Sequence, residues 1–282
     1  MNKRILFLTS NAALASNDNH LRLPAAFEAL DWETRCADHE SLKLEAGRVV
    51  SSAGGLTAFD LIWLVGFGAH ATFADRAQLL HRIEPERFVN PVQAFVFRHG
   101  KFYLDEFMPT MFASAKADDL IAHLDAGDWI VKPAAGSFGR DVHRICDDTE
   151  GHATIRRLAQ DGRYLILQRY TNEIARGEVR TLVAAGRLIA SYRREPGTGN
   201  TANLAAGALA SAHTLTAEER GLVETIATRL KRDRIRFAAI DIALPWLVEV
   251  NIANPGGLAT LASLDQQCHA IDVARAIADS LA

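Results

Sequence analysis

Asp241, Glu249 and Asn251 are the residues whose types and spacing first suggest chemistry. Glu249 and Asn251 stand two apart in an apolar run, WLVEVNI, so in an extended strand both side chains leave the same face. Asp241 lies in a second apolar run, FAAIDIAL, and pairing the two strands brings it beside them. Two carboxylates and an amide oxygen are hard ligands suited to Mg2+, which takes carboxylates together with substrate phosphates. The alternative is an acidic pair on a solvated edge strand, although Ile240, Ile242, Val248, Val250 and Ile252 make the neighbourhood apolar.

Three further groups carry potential chemistry. Lys132 ends the strand-like run WIVKP and precedes Gly136-Ser137-Phe138-Gly139. Closely spaced backbone N–H groups of such a loop can cradle phosphate, with the lysine as a point charge. The same residues also fit a hairpin turn beside a surface lysine, and no Gly-Lys-Ser/Thr makes it a Walker loop. Arg180, Arg193 and Arg194 sit on two strand-like segments around Ala185-Gly186. Alternation separates Arg193 from Arg194, so one face can offer guanidinium forks to phosphate or carboxylate, or the strand is simply cationic and exposed. Gly66-Phe67-Gly68-Ala69-His70-Ala71 matches a dinucleotide pattern, but it follows the second strand signal rather than the first and has no strand-ending acid about 20 residues later. A plain tight turn is the better reading. The histidines form no HxH or HExxH pair, no G-x-S-x-G elbow occurs, and Cys146 reads as packing.

The elements that must position these residues follow from hydrophobic period. Residues 5–8 and 59–65 read as buried parallel strands, and residues 23–30 as a helix with Pro24 in its first turn. Thr72 caps a helix over 73–83, and 88–91 is a short strand ending at a turn. Residues 109–115 read as a loop before a helix over 117–126, then strands at 129–133, 142–145 and 164–169 surround a helix near 151–160. Residues 178–184 and 187–193 form a hairpin, 195–207 a candidate mobile loop, and Thr216 with Glu219 a capping box for a helix to Arg232. Strands at 237–242 and 247–252 and a helix over 267–281 complete the chain.

Composition narrows the class. The 282 residues are 49% hydrophobic and 23% charged, which is ordinary for a globular protein, and the length allows two domains or one large one. A net charge of −3 gives no broad basic field for nucleic acid. Cys36, Cys146 and Cys268 are far apart, forming neither metal knuckle nor disulfide framework, which suits a reducing cytoplasm. No apolar run approaches a membrane span, and the apolar start at 5–9 is too short for a secretory signal.

The order of these groups resembles the ATP-grasp ligases, bacterial glutathione synthetase in particular. The family runs from a QNY-like hinge through a GD-x-R strand and a GNLAAGG loop to a D…EIN-x-x-SPT ending. Here these are Gln168-Arg169-Tyr170, Gly177-Glu178-Val179-Arg180, Asn203-Leu204-Ala205-Ala206-Gly207-Ala208 and Asp241…Glu249-Val250-Asn251. The spacing agrees nearly throughout 129–258, and Asn90-Pro91 through Lys101 is similar to an NKP…K segment. The resemblance implies an α/β (α+β) ATP-grasp fold with an N-terminal parallel-sheet (pre-ATP-grasp) domain over 1–97, a small lid over 98–171 and a C-terminal antiparallel-sheet domain over 172–282. It implies that Lys101 and Lys132 contact ATP phosphates and that Gly136, Ser137, Phe138 and Gly139 form the phosphate loop. Gln168, Arg169, Tyr170 and Thr171 would line the adenine, with Glu178 near the ribose. Asp241, Glu249 and Asn251 would hold two Mg2+ ions, Mn2+ being the substitute. Arg180 and Arg194 would face the reacting groups, Asn203 would close over them, and Asn254, Pro255, Gly256 and Gly257 would sit by the acceptor substrate.

What the resemblance implies is a carboxylate–amine ligase, ATP- and Mg-dependent, acting through an acyl phosphate on small-molecule substrates in the cytoplasm, with a homo-oligomer common among relatives. Departures cluster on the substrate side: an arginine is missing before the NLAAGA loop, Asn254-Pro255-Gly256 replaces SPT, and Gly66-Phe67-Gly68-Ala69-His70 replaces an R-x-D-P-P segment. γ-Glutamylcysteine with glycine is therefore one option. A RimK-like glutamate ligase acting on a cofactor tail or protein C-terminus is another, and a non-catalytic nucleotide-binding module is the reading from a different class.

Overall fold

The computed structural model describes residues 2–10, 17–135, 141–195 and 209–281. Its first unit is built on β1 (Arg4–Thr9), flanked in parallel by β2 (Glu33–Asp38) and β6 (Leu61–Leu64). Helix α1 (Asn19–Glu28) joins β1 to β2, and β3 (Lys43–Glu45), β4 (Arg48–Ser51) and β5 (Gly54–Gly55) form a small antiparallel sheet before β6. Helix α1 starts earlier than its apolar period suggests, so Pro24 lies inside it rather than in its first turn. A proline there removes one backbone donor and crowds the carbonyl four residues before it. Asn17 starts the turn by accepting from Asn19 N at 3.0 Å.

Two expectations in this unit are corrected. Residues 88–91 form no strand; Phe88 makes only an isolated bridge to Ile62. Pro91 has no N–H to extend a ladder, and helix α3 (Val92–Phe97) begins directly after it. Asn90 instead stitches the chain to a distant sheet, donating to Phe237 O at 2.7 Å and Ile252 O at 2.8 Å and accepting from Phe237 N at 3.0 Å. Helix α2 (Phe73–Leu80) has Thr72 at its N-cap, but the Thr72 hydroxyl donates to Glu40 at 2.8 Å instead of capping.

The middle segment, the expected lid, contains a four-stranded antiparallel sheet, ordered β7 (Met111–Ser114), β10 (Leu165–Arg169), β8 (Trp129–Pro133), β9 (His143–Ile145). The expected loop at 109–115 is thus an edge strand, held by pairing to β10 and by Phe112, whose ring stacks on His123 at 3.8 Å. Helix α4 (Ala117–Ile121) is shorter than predicted, and α5 (Thr149–Leu158) completes the layer. Leu120, Trp129, Val131, Ile155, Leu165 and Leu167 give the lid a core of its own.

After α6 (Asn172–Ala175) comes a five-stranded antiparallel sheet, ordered β13 (Leu209–Ala212), β12 (Arg187–Glu195), β11 (Glu178–Ala184), β14 (Phe237–Ala243), β15 (Trp246–Asn251). Ala185 and Gly186 join β11 to β12 with φ of 50° and 80°, the left-handed pair that matches hairpin twist. Helix α7 (Ala217–Arg232), started by the Thr216–Glu219 capping box, covers one face together with Leu104 and Met108. Helices α8 (Leu258–Asp265) and α9 (His269–Asp279) cover the other, where Leu182, Phe237, Ala239, Val273 and Ile277 share one core with Phe7, Phe27 and Trp63 of the first unit. The Trp63 and Phe237 rings meet edge-on at 5.2 Å. The N-terminal sheet and the C-terminal sheet therefore share a core, and the four-stranded sheet has a separate one.

Candidate active site

Strand register assembles the site. Arg180 on β11 lies opposite Asp241 on β14, and Asp241 lies opposite Glu249 on β15. Glu249 and Asn251 lie in the regular part of that ladder, opposite Asp241 and Ala239, and a bulge follows between Asp241 and Ile242. On the other side of β11, Glu178 is opposite Arg194 of β12. Four strands thus deliver their charged groups to one sheet face.

Asp241 is 1% exposed. Arg180 binds it with both edges of the fork, Nε to Oδ1 at 2.7 Å and Nη2 to Oδ2 at 2.6 Å. Arg194 Nη2 donates to the same Oδ2 at 2.7 Å and also to Glu178 Oε1. Burial opposes the Asp241 charge, but Arg180 and Arg194 outweigh it and hold the carboxyl below its ordinary value. Glu178 goes the other way: burial and the Asp241 charge push it up to about 7 against Arg194 and Arg180. Arg193, on the opposite strand face, pairs with Glu195 at 3.1 Å, as alternation requires.

The lid brings lysine charge. Lys132 pairs opposite Ile166, and Gln168 opposite Ile130, so Lys132 and Gln168 share one face of β8 and β10. Lys132 Nζ donates to Gln168 Oε1 at 2.8 Å. Lys101 Nζ donates to Ala134 O at 3.2 Å, just beyond β8. Burial, then the Lys101 charge, lowers Lys132 to about 8, with Glu249 partly opposing them. Burial also lowers Lys101, again against Glu249. Tyr103 anchors the Lys101 segment by donating to Asp233 at 2.8 Å.

The group 254–257 is tied down from several sides. Arg180 Nη1 donates to Gly256 O at 3.2 Å. Asn19 Nδ2 donates to Asn254 Oδ1 at 2.8 Å and to Pro255 O at 3.0 Å, and Asn17 Nδ2 to Asn254 O at 3.2 Å. Gly66 N donates to Ala253 O at 3.0 Å, which brings the end of the N-terminal sheet to the same place. Asn17 and Asn19 are the residues that sequence reasoning missed. Their only local signal is that of helix-start residues, and nothing links them to a segment more than 230 positions away.

Other expected residues are placed differently. Arg169 turns to the far face of the lid, its guanidinium 3.9 Å from the Trp129 ring and paired with Asp125 at 2.5 Å, so it does not join Gln168 and Lys132. Tyr170 lies under the Arg144 guanidinium at 4.0 Å, and Thr171 Oγ1 is buried without a partner. Glu178 is engaged by Arg194 within the buried ion cluster. Gly136, Ser137, Phe138, Gly139 and Asn203 lie outside the described residues, as do 196–207 of the expected mobile loop, whose first residue, Glu195, ends β12. The turn at Gly66–Gly68 is filled from within: a Cβ at Gly68 would come 2.4 Å from Arg76 Nη1, and Arg76 donates to Ala69 O at 2.6 Å and pairs with Glu40. It is the tight turn favoured above.

A divalent cation suits part of this cluster. Asn251 Oδ1 is buried with no hydrogen-bond partner, an acceptor left for a ligand that supplies positive charge. Glu249 stands beside it on the same strand face. Among the described residues no three His, Cys, Asp or Glu side chains converge on a metal-sized point, so any such site draws on the amide. No helix among the described residues is long and apolar enough to cross a membrane.

Comparison with known proteins agrees with this architecture. Residues 100–266 match the family model of the prokaryotic glutathione synthetase ATP-grasp domain. A glutathione synthetase of Neisseria meningitidis serogroup A (strain Z2491) is 30% identical over 269 residues, covering 92% of this chain and 82% of the relative. That of serogroup B (strain MC58) is 33% identical over 178 residues, or 62% and 54% of the two chains. The crystal structure of the D-cycloserine synthetase DcsG superposes with a TM-score of 0.71 at 17% identity, over 99% of this chain and 100% of that one.

Proposed function

The chain belongs to the prokaryotic glutathione synthetase ATP-grasp family, and on that premise we propose that it joins a small carboxylic acid to an amine at the expense of ATP, through an acyl phosphate. The observation that carries this reading is the register row Arg180–Asp241–Glu249, with Lys101 and Lys132 near enough to feel the Glu249 charge. Cations for phosphates, guanidiniums for a carboxylate and oxygen ligands for a divalent ion meet in one place.

In this reading Lys101 and Lys132 bind the ATP phosphates, and Gln168 orients Lys132 through its carbonyl oxygen. Thr171 Oγ1, buried and unpartnered, supplies a polar contact at the nucleotide end of the cleft. Arg180 and Arg194 orient the acid and the transferring phosphoryl group. A carboxylate oxygen attacks the γ-phosphorus, the bond to the ADP oxygen breaks, and ADP leaves. The amine then attacks the acyl carbon, inorganic phosphate departs with the carbon–oxygen bonding pair, and the nitrogen gives up its proton. Glu249 and Asn251, with Asp241 beside them, would hold Mg2+; when bound, it draws charge from the phosphate oxygens. The chain's cationic side chains stabilise the same charge by being placed before the reaction. The group 254–257, fixed between Arg180 and Asn19, borders the acceptor amine. A lid with its own core suits the need to keep water from the acyl phosphate.

An ADP-release assay over paired acids and amines, γ-glutamylcysteine with glycine included, tests the proposal. ADP formation that requires both partners is expected. Nucleotide binding without acid-dependent turnover in any pair would reduce the chain to a binding module.

A further inference from the structure

The three expected oxygen ligands do not stand on equal terms. Asn251 Oδ1 is buried and without a donor, whereas both oxygens of Asp241 already accept from guanidinium N–H groups. Oδ1 receives Arg180 Nε, and Oδ2 receives Arg180 Nη2 and Arg194 Nη2. In the buried set of Glu178, Asp241, Arg180 and Arg194 the two guanidiniums match or exceed the carboxylate charge, so it offers a cation no net attraction. A divalent ion approaching Asp241 would also face two fixed positive charges at close range, in surroundings that screen poorly. An anion changes this balance, because it gives the guanidiniums a replacement acceptor. Arg194 is poised for one: its Nε is buried with no partner.

We infer that Glu249 and Asn251 make a standing cation site, and that Asp241 becomes an oxygen ligand for a second cation only when an anion draws Arg180 and Arg194 from it. Cation uptake and arrival of the anionic substrate are then one coupled event, and a second ion cannot settle beside the nucleotide ahead of it. The inference rests on the ATP-grasp reading above and deepens it.

Bound Mn2+ can be counted by electron paramagnetic resonance on the whole chain with ADP, which lacks the γ-phosphate. One ion per bound ADP is expected, rising to two when inorganic phosphate is added. Arg194→Gln, which removes one claim on Oδ2, should bind two with ADP alone. Asp241→Asn should stay at one under all conditions, with the first ion's dissociation constant within about threefold of wild type. Two ions in the wild type with ADP alone, a count that stays at one with phosphate, or loss of the first ion in Asp241→Asn would each overturn the inference. Absence of any ADP-dependent Mn2+ binding would instead bring down the proposed ATP-dependent ligase function, and this inference with it.

Discussion

Lys132 Nζ reaches Gln168 Oε1 at 2.8 Å across two neighbouring lid strands, and this bond fixes a lysine whose charge is held weakly. Burial and Lys101 bring its pKa down to about 8 from the usual 10.5. A phosphate partner favours the charged form. Affinity for an ATP analogue should therefore fall as pH rises through about 8, and binding near that pH should take up a proton. Titration calorimetry in two buffers of different ionisation enthalpy reads that uptake. Lys132→Ala should weaken binding by about tenfold or more, near 1.4 kcal/mol, and Lys132→Arg should flatten the pH dependence; an unaltered affinity in Lys132→Ala removes the phosphate role. For folding the sign is opposite: with a depressed folded value, this group's penalty is full below about 8 and is relieved as pH rises toward 10.5.

Glu249→Gln keeps the side-chain shape and removes the charge that opposes the lowered pKa values of Lys101 and Lys132. We expect Mg-dependent turnover to drop on the order of 10²-fold or more, with the thermal midpoint nearly unchanged. Turnover equal to wild type would remove Glu249 from the cation site.

Asn19 gives two hydrogen bonds to the 254–257 segment, and its loss leaves Asn254 Oδ1 and Pro255 O without that donor. Asn19→Ala should cost about 1–3 kcal/mol of stability. It should also raise the KM for the amine while leaving nucleotide affinity in place. Equal effects on both substrates would mean that Asn19 supports the fold and nothing more specific.

Gly68 has φ of 67° and the Arg76 guanidinium against it. Gly68→Ala should lower the melting temperature by several degrees, with about 1–3 kcal/mol of strain. Nucleotide affinity should stay within about twofold. A fluorescence change on adding NADH to the wild type would revive the dinucleotide reading that the Arg76 packing argues against.

The C-terminal sheet was legible because its strands carry long apolar runs interrupted by charges at even spacing. Asp241, Glu249 and Asn251 stood out for that reason, and Ala185-Gly186 marked the hairpin between two more such strands. Strand β2 was not legible: ETRCAD is mostly exposed and polar, and it extends because β1 provides a parallel partner. Strand β7 depends likewise on β10. Residue types predicted that Asp241 could ligate, but its capture by Arg180 and Arg194 depends on strand register. The Asn19–Asn254 bond, 235 positions apart, has no local signature at all.

The shared core of the N-terminal and C-terminal sheets has a consequence for how such a molecule can be altered. Trp63 touches Phe237, and Phe237 lies on the strand that carries Asp241. Remodelling the N-terminal unit for a different substrate disturbs packing on the strand face that also carries Asp241, so selectivity and stability trade against each other there. The four-stranded sheet over 111–169 has a core of its own, and Met111 at its edge is where it reaches the C-terminal core. Chimeras that exchange lids between relatives should therefore fold readily, whereas those that exchange N-terminal units should need compensating changes around Trp63, Phe237 and Leu182.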